Sequence, residues 1–194
     1  LPPNAPFFRL AIDNFAVREI EEDENLKTQI DSGLVQIEKA VMDGSNVEAR
    51  GNMLIGSMLA GKAFANSPVS AVHALAYPIG GHFKIPHGLS NALVLAHVLR
   101  FNSTVAPVPY AEIAPYVFPK LAEIGTQEAA AAFAEEMAAL AARCGLEARL
   151  RDVGIPADAL DLLARDAMHQ TRLLVNNLRP VDESDARTIY QAAW

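Results

Sequence analysis

The sequence predicts an all-α protein, a multi-helix bundle, on three observations. Hydrophobic residues make up 51% of the chain, with long Ala-rich tracts, a composition that favours a packed helical chain over disorder. Apolar residues recur at steps of three or four, as in Leu26, Ile30, Leu34, Ile37 and Val41, which is the stripe of one helix face. No segment reads as a convincing strand and no internal repeat occurs. Without a Gly-rich phosphate loop after a strand, the sequence predicts no nucleotide-binding α/β domain in this chain. At 194 residues it is long enough for one sizeable core.

The elements follow in order. Residues 1–22 are expected to be irregular: three prolines fall in the first twelve positions, and proline both lacks a donor and restricts its neighbour. The acidic run REIEEDEN (18–25) is a solvated face or first helical turn. Residues 23–194 are expected to form the helical domain. Its first helix spans Asp23 to Val41, interrupted by Gly33 at modest cost. Asp43-Gly44-Ser45-Asn46 is a turn in which Ser45 or Asn46 caps the next helix, about 47–65. That helix is apolar round most of its circumference, which predicts burial on more than one side and a central place in the bundle.

A helix over about 69–79 follows, ended by Gly80-Gly81. After a short connection, Pro86-His87 opens a helix to about Arg100, since proline suits a first turn. Prolines 107, 109 and 115 punctuate a helix around 110–124. Thr126 is placed as the cap of an Ala-rich helix over 127–143, closed by Cys144-Gly145. Ile155-Pro156-Ala157-Asp158 opens a helix over 157–168, and Asp182 or Ser184 caps a last one ending at Trp194.

The net charge of −7 without a Lys/Arg block argues against nucleic acid or an anionic membrane surface as partner. No run of about 18 apolar residues is present to span a bilayer. LPPNAPFFRL lacks the charged-then-apolar order of a secretory signal, and reads as a chain beginning in mid-structure. A single cysteine, Cys144, excludes an internal disulfide and fits a reducing compartment. The expectation is a soluble, cytoplasmic protein. Cys144 has no neighbouring histidine or carboxylate in ARCGL to activate it, which argues against a nucleophilic role.

Function points to Ala60–Asn102, which holds four of the five histidines, with Asn91 and Asn102 set among apolar residues. His73 falls inside an apolar helix, where its ring must find a partner, either a backbone carbonyl or a metal. His87 stands at the mouth of a helix with Gly88 leaving room beside it. The two are too far apart for one helix face and would meet by packing of one helix on the next across Gly80-Gly81. Two neutral imidazoles suit zinc or ferrous iron, and a complete site needs further ligands. His82 belongs to the connection and is expected to be exposed. His97 lies three turns beyond His87 and is either a cleft group or a satisfied core histidine; His169 is too distant to place. Tyr77 shares the helix face of His73.

These pieces (AGKAFAN, VHALAYPIGG, IPHGLSNALVL and HVLRFN) resemble the metal-binding region of the iron-containing (group III) alcohol dehydrogenases. The similarity extends upstream through AVMDGSNVEARGNMLIGSMLAG and downstream through DAMHQTRLLVNNLRPV and ESDARTIYQAAW, covering roughly 35–194. It implies a dehydroquinate synthase-like C-terminal helical domain. In that family an N-terminal α/β domain binds NAD or NADP, and the helical domain holds a divalent metal, Fe2+ or Zn2+. One aspartate and three histidines hold this metal, which polarises an alcohol or aldehyde oxygen for hydride transfer. The resemblance makes His73 (V-H-A) and His87 (P-H-G) metal ligands, and puts Tyr77 where relatives often carry another histidine. It faintly suggests Asp13 as the aspartate, with Val17 in place of the next histidine, so half of the ligand set departs from the pattern. The partners implied are a small-molecule alcohol or aldehyde, and a second copy or a nucleotide-binding domain. The chain alone is expected to have little dehydrogenase activity. The alternative is a non-catalytic helical interaction module derived from that domain, with a decayed metal site.

Overall fold

The computed structural model describes residues 36–66 and 68–194, and among these every regular element is a helix. Residues 36–42 end a helix whose expected start, with the irregular segment before it, lies outside the described residues. The turn after it forms as expected, with Asn46 Oδ1 accepting from the Ala49 N–H at 2.9 Å. The helices are α1 (Val47–Asn66), α2 (Ala71–Phe83), α3 (His87–Ser103), α4 (Pro107–Val117), α5 (Thr126–Arg143), α6 (Leu160–Ala167), α7 (Thr171–Leu174) and α8 (Glu183–Ala193). Short 3-10 turns cover Pro119–Leu121, Leu150–Val153 and Ala157–Ala159.

Two hydrophobic clusters share α3. One gathers Leu75 and Ile79 of α2, Leu93, Val94 and Val98 of α3, Leu160 and Leu163 of α6, and Ile189 and Tyr190 of α8. The other gathers Leu99 of α3 with Tyr110, Phe118, Leu121, Phe133 and Ala134 from the α4–α5 side. A helix serving two cores must be apolar on more than one face, as α3 is in its middle, where Ala92-Leu93-Val94-Leu95-Ala96 is followed by Val98 and Leu99. Buried hydrogen bonds fix its neighbours. The Tyr190 hydroxyl donates to the Leu75 carbonyl at 2.6 Å, tying α8 to the middle of α2. Asn102 and Asn177 exchange amide hydrogen bonds at 2.8 and 2.9 Å, closing the far end of α3 against the loop before α8.

Three sequence expectations are corrected. The helix read as central, α1, lies at the edge of the described bundle, with Leu54 73% and Met58 54% exposed. Apolar character all round tells how many partners a helix wants, not which described helices supply them, and α2 and α3 fill the centre instead. Gly80-Gly81 does not end α2. The helix runs through both glycines to Phe83 and stops where Lys84 turns left-handed (φ 59°), its N–H reaching the Gly80 carbonyl. Thr126 is the first residue of α5 rather than its cap; extended Gly125 stands at the cap position without a side-chain bond.

Candidate metal centre

The connection Lys84-Ile85-Pro86 turns the chain back, so that Gly80 lies beside the Ile85 carbonyl. The reversal packs α2 against α3. Ser90 locks the start of α3, its hydroxyl donating to the carbonyls of Ile85 (3.2 Å) and Pro86 (3.1 Å). Asn176 holds the start of α2 through the Val69 carbonyl. His73, three residues into α2, and His87, the first residue of α3, are thereby set side by side.

Their ring centroids are 5.3 Å apart with planes at 56°. The Tyr77 ring, one turn after His73 and 42% exposed, lies 5.8 Å from that of His87. His73 is half-buried; desolvation and, secondarily, the nearby His87 push its pKa below the usual histidine value. Its imidazole is therefore neutral at pH 7 and keeps the lone pair a metal needs. On the next turn of α3, the Asn91 side-chain nitrogen stands 3.1 Å from Nε2 of His87. The Asn91 Oδ1 is buried without a hydrogen-bond partner, which costs about 1–3 kcal/mol. Nothing in the residue-type reading flagged this contact; its signal was the spacing of four between His87 and Asn91 on one helix.

Two imidazoles at one helix junction are part of a donor set suited to a divalent ion such as iron or zinc. The fit is partial. Among the described residues no group of three or more His, Cys, Asp or Glu is placed to hold an ion, and Asp13 and Val17 lie outside those residues.

The other histidines stand apart from the pair. His82 is in the last turn of α2 rather than in a connection, and Nε2 pairs with Asp166 of α6 at 2.5 Å. Asp166 also lies 3.9 Å from Nδ1 of exposed His169. His97 is the satisfied histidine: Nδ1 accepts from Arg100, whose guanidinium forks onto Glu135 of α5 at 2.6 and 2.9 Å. Burial, then the Arg100 charge, lower its pKa to about 4, against a smaller opposing pull from Glu135. Cys144 is a free thiol just past the end of α5.

Fold and site together define a helical domain with a histidine pair at the junction of two helices. Residues 28–194 match the model of the Fe-containing alcohol dehydrogenase family, C-terminal. The long-chain-alcohol dehydrogenase 1 of Geobacillus thermodenitrificans is 40% identical over 158 residues, 81% of this chain and 40% of that protein. The 1,3-propanediol dehydrogenase of Citrobacter freundii is 34% identical over 81% of this chain and 41% of its own length. The alcohol dehydrogenase of Oenococcus oeni superposes with a TM-score of 0.79 at 29% identity, over 87% of this chain and 44% of that one. The chain belongs to the iron-containing alcohol dehydrogenases, a family of oxidoreductases, and corresponds to their C-terminal helical domain. It spans about two-fifths of the length of the curated relatives it matches.

Proposed function

We propose that this chain is the metal-holding part of a metal-dependent alcohol dehydrogenase, with His73 and His87 as two of the ligands to Fe2+ or Zn2+. The observation that carries the reading is the pairing of these rings from α2 and α3, 5.3 Å apart. Such an ion, when bound, acts as a Lewis acid on an alcohol or aldehyde oxygen, favouring hydride exchange with NAD or NADP. The chain's own residues keep the ligands ready. Burial holds His73 neutral, the Tyr190 bond to Leu75 fixes the α2 backbone half a turn beyond it, and Ser90 fixes the first turn that carries His87. The partly exposed Tyr77 borders the open side of the pair. The relatives' names point to alcohols and diols, and an alcohol or aldehyde is the substrate class we assign. The nicotinamide is assigned to an α/β nucleotide-binding domain, for which the relatives' further three-fifths of length leaves room.

Metal analysis of the purified chain tests this directly. Chain purified with iron or zinc supplied should retain close to one ion, and the His73→Ala, His87→Ala double variant should lose it. Equal metal content in both would overturn the assignment. In an assay of alcohol-dependent NAD reduction, the purified 194-residue chain should show no turnover above background. Measurable turnover would remove the need for a separate nucleotide-binding domain.

A further inference from the structure

Exposed apolar side chains gather at one edge of the described bundle, on Val41, Met42, Val47, Leu54, Ile55 and Met58. Every residue of α1 from Leu54 to Met58 is exposed, so this stretch of the helix is bare among the described residues. A helix in water draws most of its stability from packing an apolar face, which leaves α1 one cover short. At about 100° per residue, Val47, Leu54 and Met58 fall within about 40° of one another. With Gly51 they form a stripe whose steps are four, three and four. Backwards from the turn at 43–46, Val41, Ile37, Leu34 and Ile30 repeat those steps. In a helical hairpin about that turn the two stripes come into register: Val41 on Val47, Ile37 on Gly51, Leu34 on Leu54 and Ile30 on Met58.

We propose that residues 23–35 of this chain are the missing cover, packing along α1 as the first arm of an antiparallel helical hairpin. The tether favours this segment over a second copy. Gln36, where the described residues begin, is buried. The four-residue turn 43–46 is within the roughly two to five residues usual for a helical hairpin, and the Ser45 N–H donates to Asp43 Oδ1 across it at 2.9 Å. A short tether sets an effective concentration of about millimolar. Area argues the same way. The stripe from Val47 to Met58 is about 17 Å long and about 10 Å across, on the order of 200 Å², whereas a stable dimer buries about 800 Å² per partner.

Cysteine pairs placed in the full chain carrying Cys144→Ser test the register. A disulfide needs Cα atoms within about 7 Å. Leu34→Cys with Leu54→Cys, and Ile30→Cys with Met58→Cys, should therefore close intramolecular bonds under mild oxidation. Ser32→Cys with Leu54→Cys puts one thiol on the far face of the arm and should close at least about tenfold more slowly. Equal rates for the in-register and far-face pairs overturn the proposal, and disulfide-linked dimers from the in-register pairs overturn it in favour of a second copy. Circular dichroism of the reduced variants establishes that each is folded. A single substitution gives a second reading. Leu54 and Val175 are almost equally exposed among the described residues, 73% and 70%, and a carboxylate at an uncovered site changes stability little. Under the proposed cover, Leu54→Asp should lower Tm by about 5 °C or more and Val175→Asp by no more than about 2 °C. Equal small shifts in the two variants overturn the proposal even where no cysteine pair folds.

Discussion

On α3, the His97 ring is tucked behind Arg100 and titrates far below its ordinary value, at about 4. The unfolded chain carries this histidine near 6.5, so between those pH values the unfolded state binds more protons than the folded one. The contribution to stability is therefore full above about pH 6.5 and is lost as pH falls towards 4. At about 1.4 kcal/mol per tenfold, and discounted for a ring that is only partly buried, it amounts to about 1–2 kcal/mol. His73 is shifted in the same direction and steepens the fall. Thermal unfolding at pH 7 and pH 4.5 should show a smaller loss for His97→Gln than for wild type; identical losses would mean that His97 is not held neutral by the fold. That His73 and His87 would meet was legible in the residues themselves, one inside an apolar helix and the other after a proline across a short connection. The partners of the others were not. Arg100, Glu135 and Asp166 meet His97 and His82 through packing between helices, and sequence spacing carries no information about that.

Helix ends are where local chemistry and tertiary context divide. At α8 local chemistry narrowed the cap to two residues, and Asp182 is the one: it accepts from the Asp185 N–H at 2.8 Å, and Asp185 Oδ2 accepts from the Asp182 N–H at 3.2 Å. Residue type alone offered Asp182 or Ser184 as the cap, and the structure has Asp182 there, in a reciprocal box with Asp185. Because α8 carries Tyr190, whose hydroxyl reaches α2 beside the histidine pair, the cap supports more than its own helix. Asp182→Ala should cost about 1 kcal/mol, up to about 2, seen as a fall of about 2–4 °C in Tm for each kcal/mol. No change in Tm would show that the box is redundant. At α2 the same reasoning gave the wrong end, since paired glycines are a strong stop signal. The helix continues because Ile79 packs in the core and the chain turns left-handed only at Lys84. Neither glycine has a left-handed backbone; the left-handed residue is Lys84.

At the scale of the whole molecule the fold class was legible, because periodicity and turn residues are local properties. The division into two clusters was not, since the sequence of α3 does not say which of its apolar residues meets which partner. That shared helix has a thermodynamic consequence. Leu93, Val94 and Val98 face one cluster and Leu99 the other, and the Asn102–Asn177 and Asn102–Tyr110 bonds join both at the same helix end. Neither cluster can lose its packing while α3 stays buried against the other without exposing apolar surface, so the two should unfold together. Phe133, 4% exposed in the α4–α5 cluster, and Trp194, whose indole donates to the Ile155 carbonyl on the far side, provide the test. Phe133→Ala should cost about 3–5 kcal/mol, a fall on the order of 10 °C. The single tryptophan then reports from the cluster that was not mutated. Its fluorescence midpoint should fall by the same amount as the helical signal at 222 nm. If the Trp194 transition stays at its wild-type temperature while the helical signal splits in two, the clusters are independent units and α3 does not couple them.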